Sequence, residues 1–93
     1  MIDFTCVYFG HDSNTPDKWW NINAKGFATA EDAAEHGKFM MPTPGTFGFA
    51  VIRELEDEWE ILDDLSILPP NCSIGCNRLG TFSIQPAPQL HLV

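Results

Sequence analysis

Apolar and polar residues along the chain follow two patterns, one typical of strands and one typical of a helix. Residues 2–9 are rich in β-branched and aromatic side chains, as strands usually are. Both faces of this strand would be apolar, which indicates a central position in a sheet. After turn-forming residues at 10–17, a second strand is predicted over 18–23, with Trp19 and Trp20 on opposite faces.

A helix is predicted over residues 29–37. Thr29 has the chemistry of an N-cap, and Asp32 three residues later completes a pattern like the capping box. Alanines in between favour the helix and give it a small face that can pack closely. Gly37 is predicted to be the residue that follows the helix, as glycine often is.

The stretch from residue 47 to residue 62 predicts a β-hairpin with its tip at 55–58. One register aligns apolar residues with apolar residues and charged residues with oppositely charged ones. It pairs Glu54 with Trp59, Arg53 with Glu60 and Ile52 with Ile61.

The remaining chain, 66–93, contains prolines and is predicted to be less regular. It has room for a short strand at 79–84 and ends in an extended apolar tail, while 63–68 has room for one helical turn. The predicted fold is therefore a single α+β domain over 1–93. It has one antiparallel sheet in the order β-β-α-β-β, followed by a fifth strand or a coil segment, and a single short helix.

Charge narrows the classes of partner. The 93 residues include 13 acidic and 5 basic side chains, a formal net charge of −8, with a pI near 4.5. Such a surface repels nucleic acid and anionic membranes, both of which bind through cationic contacts. No apolar run approaches the length of a membrane span, and the first residues lack the basic start of a signal peptide. We expect a cytoplasmic protein with reduced thiols.

Seven of the acids fall in residues 54–64, which makes this segment the strongest candidate for a site. They are Glu54, Glu56, Asp57, Glu58, Glu60, Asp63 and Asp64. One interpretation is an edge hairpin that its charge keeps soluble and unpaired. The other is a negative surface for a basic partner, since same-face residues of a strand repeat at about the spacing of phosphates in nucleic acid. Trp19 is the aromatic residue expected to anchor such an interface.

Metal binding and catalysis have weaker signals. Cys72 and Cys76 form a C-x₃-C pair with His91 further on, and a zinc site would need a fourth ligand from Cys6, His11 or His36. A packed turn explains this pair more simply. The acidic segment has no glycine and does not match a calcium loop, and no motif of a nucleophile, phosphate loop or metalloprotease occurs. We expect no cofactor, no metal and no enzymatic activity.

In size, pI, α+β order and the acidic segment Glu54–Asp64, the chain resembles the small acidic proteins of phages and mobile elements that block host nucleic-acid defences, the anti-CRISPR inhibitors among them. The resemblance implies a non-enzymatic inhibitor that occupies the basic, nucleic-acid-binding surface of a partner protein. The alternatives are an assembly module that forms homo-oligomers through sheet edges and the apolar tail, and a small metal or thiol protein using Cys72 and Cys76.

Overall fold

A computed structural model of the chain describes residues 3–12, 15–42, 46–69 and 72–86. The elements are β1 (Asp3–Asp12), β2 (Thr15–Phe27), α1 (Ala30–Met40), β3 (Thr46–Glu54), β4 (Trp59–Ile61), a 3-10 turn (Asp63–Leu65), β5 (Cys72–Cys76) and β6 (Phe82–Pro86). None of the helices in these ranges is both long enough and apolar enough to cross a bilayer.

Four strands form the main antiparallel sheet in the order β2-β1-β3-β4. β1 therefore lies inside the sheet and pairs with β2 on one side and β3 on the other. Cys6 and Tyr8 on one face of β1 pack beneath α1, and Val7 and Phe9 on the other face pack against a second layer. The α+β class is confirmed, and so is the central strand with two apolar faces.

The hairpin formed by β3 and β4 has the register that its sequence predicts, with partners Ile52–Ile61, Arg53–Glu60 and Glu54–Trp59. β4 is short, and the chain continues along the edge of β3 beyond it. There, Phe49 and Ile67 exchange two backbone hydrogen bonds of 2.9 and 3.0 Å. The predicted helical turn is present as the 3-10 turn.

The helix begins at the predicted residue but ends later. The Oγ1 of Thr29 accepts the N–H of Asp32 at 3.1 Å, as an N-cap does. The prediction that Gly37 follows the helix is wrong, because α1 continues to Met40. Gly37 is buried against the ring of Phe49, and a Cβ at this position would overlap the ring. This glycine allows the helix to approach the sheet closely.

A second, two-stranded sheet of β5 and β6 covers the face of the main sheet opposite α1. Phe82 and Ile84 of β6 are completely buried there, beside Val7, Phe9 and Ala50. The main sheet is thus covered on both faces, and the two apolar faces of β1 follow from this arrangement.

The second sheet corrects the prediction for the C-terminal part of the chain. Residues 72–86, predicted to be less regular, form two paired strands, and the predicted turn at Cys72–Cys76 is strand β5. The strand predicted at 79–84 begins at Phe82 instead. The β5 sequence has one large apolar residue and a glycine, so its strand conformation depends on pairing with β6. The predicted apolar tail lies outside the described residues.

Two asparagines of β2 hold the second sheet in place. The side chain of Asn23 accepts the N–H of Phe82 at 2.8 Å and donates to its carbonyl oxygen at 2.9 Å. The side chain of Asn21 accepts the N–H of Ile84 at 2.7 Å. These bonds satisfy backbone groups at the edge of β6 that would otherwise be partly buried without a partner.

Candidate functional site

The tip of the β3–β4 hairpin consists of three consecutive carboxylates, Glu56, Asp57 and Glu58, which we call the acidic tip. All three side chains are exposed. The turn is closed by a backbone hydrogen bond of 2.8 Å from the N–H of Leu55 to the carbonyl oxygen of Glu58. Among the described residues, no cation lies within ion-pairing distance of the acidic tip. Its charge therefore faces solvent.

The two carboxylates that flank the acidic tip are engaged within the protein. Glu54 Oε1 lies 3.3 Å from Lys25 Nζ, and Glu54 Oε2 accepts a hydrogen bond of 3.2 Å from the buried Thr5 hydroxyl. Glu60 Oε1 lies 3.0 Å from Arg53 Nε on the neighbouring strand. These contacts join β1, β2 and β3 on one side of the tip and β3 with β4 on the other, so Glu54 and Glu60 stabilise the fold.

Lys25 connects the acidic end of the sheet to the second layer. Besides its ion pair with Glu54, its Nζ donates to the carbonyl oxygen of Gly80 in the β5–β6 turn and lies 5.2 Å from the centre of the Phe82 ring. Arg78 in the same turn is exposed. Lys25 and Arg78 thus lie at this end on the side of the second sheet, whereas Arg53, which pairs with Phe4, belongs to the face that α1 covers. Sequence reasoning missed the role of Lys25, because its partners are 29 and 55 residues away in the chain.

The last two predicted acids, Asp63 and Asp64, are exposed at the start of the 3-10 turn. Ser66 fixes this turn to the sheet, since its hydroxyl donates to the carbonyl oxygen of Leu62 and accepts the N–H of Val51, both at 2.8 Å. The two aspartates lie beyond the end of β4, so they extend the negative surface along the β4 edge.

The first turn of α1 adds two more exposed carboxylates to the acidic end. Glu31 and Asp32 follow β2, which ends at Phe27, and Phe27 pairs with Phe4 beside the Asp3–Glu54 pair. The helix therefore starts at the same end of the sheet as the hairpin tip. Carboxylates in a first helical turn also interact favourably with the helix dipole.

Trp19 lies at the opposite end of the sheet. It pairs with His11 on β1, whereas Glu54 pairs with Asp3 on the same strand. Eight residues separate these positions, about 26 Å in a strand. Trp19 is 36% exposed, and its ring contacts the rings of Phe9, His11 and Phe47. The structure does not bring Trp19 together with the predicted acids.

The two C-terminal cysteines lie at opposite ends of β5, four residues apart and about 13 Å between their Cα atoms. Ligands of one zinc ion and the partners of a disulfide need much shorter separations. Within the described residues, no group of three or more His, Cys, Asp or Glu side chains has the geometry of a metal site.

The other residues that were candidates for a zinc ligand lie in different parts of the fold. Cys6 is buried in β1, and burial raises its pKa to about 12. His36 on α1 packs between the rings of Tyr8 and Phe27. His11 belongs to the aromatic group around Trp19, and His91 lies outside the described residues.

A shallow depression lies on the outer face of the second sheet. It is lined by Ser73, Ile74, Gly75, Ser83 and Gln85, none of which titrates near neutral pH. The lining contains hydroxyl and amide groups but no pair of groups that could act as acid and base.

No protein-family model, curated protein or solved structure matches the chain. The choice of a functional site therefore depends on the exposure, charge and geometry of the residues themselves. By these criteria the acidic tip is the strongest candidate, because it brings together three consecutive exposed carboxylates that form no ion pair with the described residues.

Proposed function

We propose that this protein is a non-enzymatic binding protein whose acidic tip occupies a basic surface of a partner protein. One observation carries the proposal. Glu56, Asp57 and Glu58 are exposed and free of described cations, while Glu54 and Glu60 on either side are paired within the fold. The paired acids fix the hairpin, and the unpaired acids remain available to a partner.

The hairpin suits recognition because it is held on both sides. Three cross-strand pairs and the Leu55–Glu58 hydrogen bond fix the backbone, so little backbone entropy is lost when the tip binds. Carboxylates accept short, charge-assisted hydrogen bonds from guanidinium and ammonium groups. Their combined field also raises the rate of encounter with a basic protein at low salt.

The shape of the acidic surface narrows the class of partner. The regular phosphate-like spacing that the sequence suggests requires one continuous strand, but residues 55–58 form a turn. The three carboxylates of the tip are a compact group. A matching site is a small cluster of Arg and Lys side chains, such as one that holds a phosphate group in a nucleic-acid-binding protein. Binding there would block nucleic acid, as in the anti-CRISPR class of inhibitors, and would take place in the cytoplasm.

Trp19 is not part of this surface in our proposal. Its position at the other end of the sheet, about 26 Å away along β1, is too far for the centre of an interface around the tip. Asp63 and Asp64 are assigned a supporting role, because they extend the negative field on the same side of the hairpin.

The experiment compares two triple variants that remove the same charge from different places. The tip variant is Glu56→Gln, Asp57→Asn and Glu58→Gln. The helix variant is Glu31→Gln, Asp32→Asn and Glu35→Gln, also at exposed positions. Each changes the net charge from −8 to −5. Immobilised wild-type protein and both variants are used to capture proteins from a host lysate at about 50 and 500 mM NaCl. The screening length of electrostatic interactions shortens strongly between these two salt concentrations.

We expect a basic partner that the wild-type protein retains at low salt and releases at high salt. Its affinity for the tip variant should fall at least about tenfold, the effect of losing one or more charge-assisted contacts. The helix variant should stay within about threefold, because its carboxylates lie near the same end of the sheet but outside the acidic tip, and their loss weakens the long-range field alone. A purified partner that binds labelled nucleic acid should lose it on addition of the wild-type protein. Equal retention of wild type and tip variant would contradict the proposal.

A further inference from the structure

β2 is a long strand at the edge of the main sheet. It has 13 residues and pairs with β1, and within the described residues its other side has no strand partner. The opposite edge is formed by β4, which has three residues and carries Glu60. Exposed edges of long, apolar strands tend to pair with other strands, and proteins usually protect them with charges, prolines or bulges.

The middle of β2 lacks these protecting features. Residues Trp19–Ala24 contain no charged residue and no proline, and they pair with β1 in a regular register. The irregular positions in this pairing lie at its two ends, between Phe4 and Cys6 and between His11 and Asp12. This uncharged segment of six residues therefore has no strand partner on its outer side within the described residues.

Apolar side chains lie beside the open edge on the face that α1 covers. Ile22 pairs with Tyr8 and is 45% exposed, so the helix leaves much of it uncovered. Trp20 is half-buried, and its ring contacts that of Tyr8 edge to face. On the other face, the side chains of Asn21 and Asn23 are occupied by β6. The available apolar surface is thus concentrated at Trp20 and Ile22.

We propose that β2 pairs with β2 of a second copy of this chain, in a two-fold symmetric, antiparallel dimer centred on Asn21. In this register Trp20 faces Ile22 of the second copy, and Ile22 faces Trp20 of the second copy. Aromatic and β-branched residues directly opposite each other form favourable cross-strand pairs. A two-fold axis forms the same pair twice. The pairing of the two exposed apolar residues with each other is the reason for assigning a second copy as the occupant.

The distribution of charge is compatible with such a dimer. β2 contains one aspartate and two lysines, so it carries a net charge of +1 in a chain of −8. Pairing through β2 joins the two main sheets into one of eight strands, with the β4 edges outermost. Seven strand spacings, about 34 Å, then separate the two β4 strands. This is several times the Debye length of about 8 Å at physiological salt, so the acidic ends repel each other weakly.

The first test is the oligomeric state by sedimentation velocity over a range of protein concentrations. We expect a concentration-dependent dimer in the wild type. Ile22→Lys should raise the dissociation constant at least about 100-fold, because the buried isoleucine is lost twice in a symmetric interface. The control is Ile67→Lys, since Ile67 is 46% exposed and lies on the opposite side of the main sheet, bridged to β3. Thermal melts establish that both variants fold.

The second test distinguishes pairing at β2 from any other dimer. In a strand, alternate N–H groups point to opposite neighbours, so a lone edge strand protects every second amide from hydrogen exchange. In the proposed dimer, consecutive amides of residues 19–24 should be protected, and the outward-pointing set should lose protection in Ile22→Lys. A monomer at all concentrations would overturn the proposal, and so would a dimer that protects alternate amides alone. A dimer that forms equally well in Ile22→Lys would also overturn it.

Discussion

The two edges of the main sheet differ in length, charge and exposed chemistry. The β4 edge is three residues long, and free carboxylates surround it at the acidic tip and at Asp63 and Asp64. The β2 edge is 13 residues long, and its middle part is uncharged. Charge opposes strand pairing, so the first edge is protected against it and the middle of the second edge is not. The two surfaces that we propose, one for a basic partner and one for a second copy, would then lie at opposite edges of one sheet.

The comparison also separates two kinds of acidic residue that look alike in the sequence. Glu54 and Glu60 belong to the hairpin strands and pair with Lys25 and Arg53, whereas the acidic tip is exposed. Reversing the charge of the whole segment would therefore damage the fold as well as the surface. Experiments on recognition should change the tip and leave the strands intact.

At neutral pH, the largest effect on stability is expected for the asparagine side chains that join β2 to the second sheet. Asn23→Ala removes both hydrogen bonds to the backbone of Phe82 and leaves these partly buried groups unpaired. The free energy of unfolding should fall by about 2–3 kcal/mol in denaturant titrations. Asn77→Ala is the matched control, because the backbone groups that Asn77 accepts from are exposed and can bond to water. Equal losses in the two variants would contradict the role of Asn23.

A smaller loss of stability should distinguish substitutions of the paired carboxylates near β4 from substitutions of the exposed ones. Glu54→Lys removes an ion pair and a hydrogen bond and places a second cation beside Lys25. We expect it to lower the free energy of unfolding by about 1–2 kcal/mol, since both side chains of the ion pair are partly exposed. Glu58→Lys at the tip should stay within about 0.5 kcal/mol of wild type. Similar melting curves for both variants would show that the Glu54 contacts stabilise nothing.

The burial of Cys6 at the centre of the sheet, between the two edges, can be tested by measuring the free energy of unfolding as a function of pH. Burial raises the pKa of Cys6 from 9.0 to about 12. Above pH 9 the unfolded chain loses this proton while the folded chain keeps it, so stability falls as pH rises towards 12. The slope contributed by this thiol reaches about 1.4 kcal/mol per pH unit. Cys6→Ala should remove that part of the slope, and Cys76→Ala, at an exposed position, should leave it. An unchanged slope in Cys6→Ala would mean that the thiol ionises in the folded state.

The smallest effect on stability is expected at the acidic tip itself. Neutralising Glu56, Asp57 and Glu58 relieves repulsion between neighbouring like charges, which amounts to a few tenths of a kcal/mol per pair. The melting temperature of the tip variant should equal or slightly exceed that of wild type at low salt. The difference should vanish at high salt because of screening. A marked loss of stability would show that the tip carboxylates have structural partners.

Local patterns in the sequence predicted much of the main sheet. The cap at Thr29, the central strand and the register around Glu54 and Trp59 each follow from side chains close together in the chain. The helix end was misplaced because the role of Gly37 depends on Phe49, twelve residues away. The second sheet was missed because β5 has weak local propensity and acquires its conformation by pairing with β6.

The sequence predicted the segment 54–64 as the candidate site, but it did not predict which of the acids in this segment are paired within the fold and which are exposed. Nothing within residues 54–64 distinguishes Glu54 from Glu58, since the partners Thr5 and Lys25 come from β1 and β2. Trp19 was grouped with the acids because a sequence does not indicate which end of a sheet a residue occupies. The β1 register places them apart.

The division of function between the two edges is tested most directly by sedimentation velocity of the tip variant and of Ile22→Lys, each with and without the captured partner. We predict a crossed result. The tip variant should dimerise like wild type and bind the partner at least about tenfold more weakly. Ile22→Lys should remain monomeric and bind the partner at wild-type affinity. Loss of both properties in either folded variant would contradict the division, because the two edges would then form a single interaction surface.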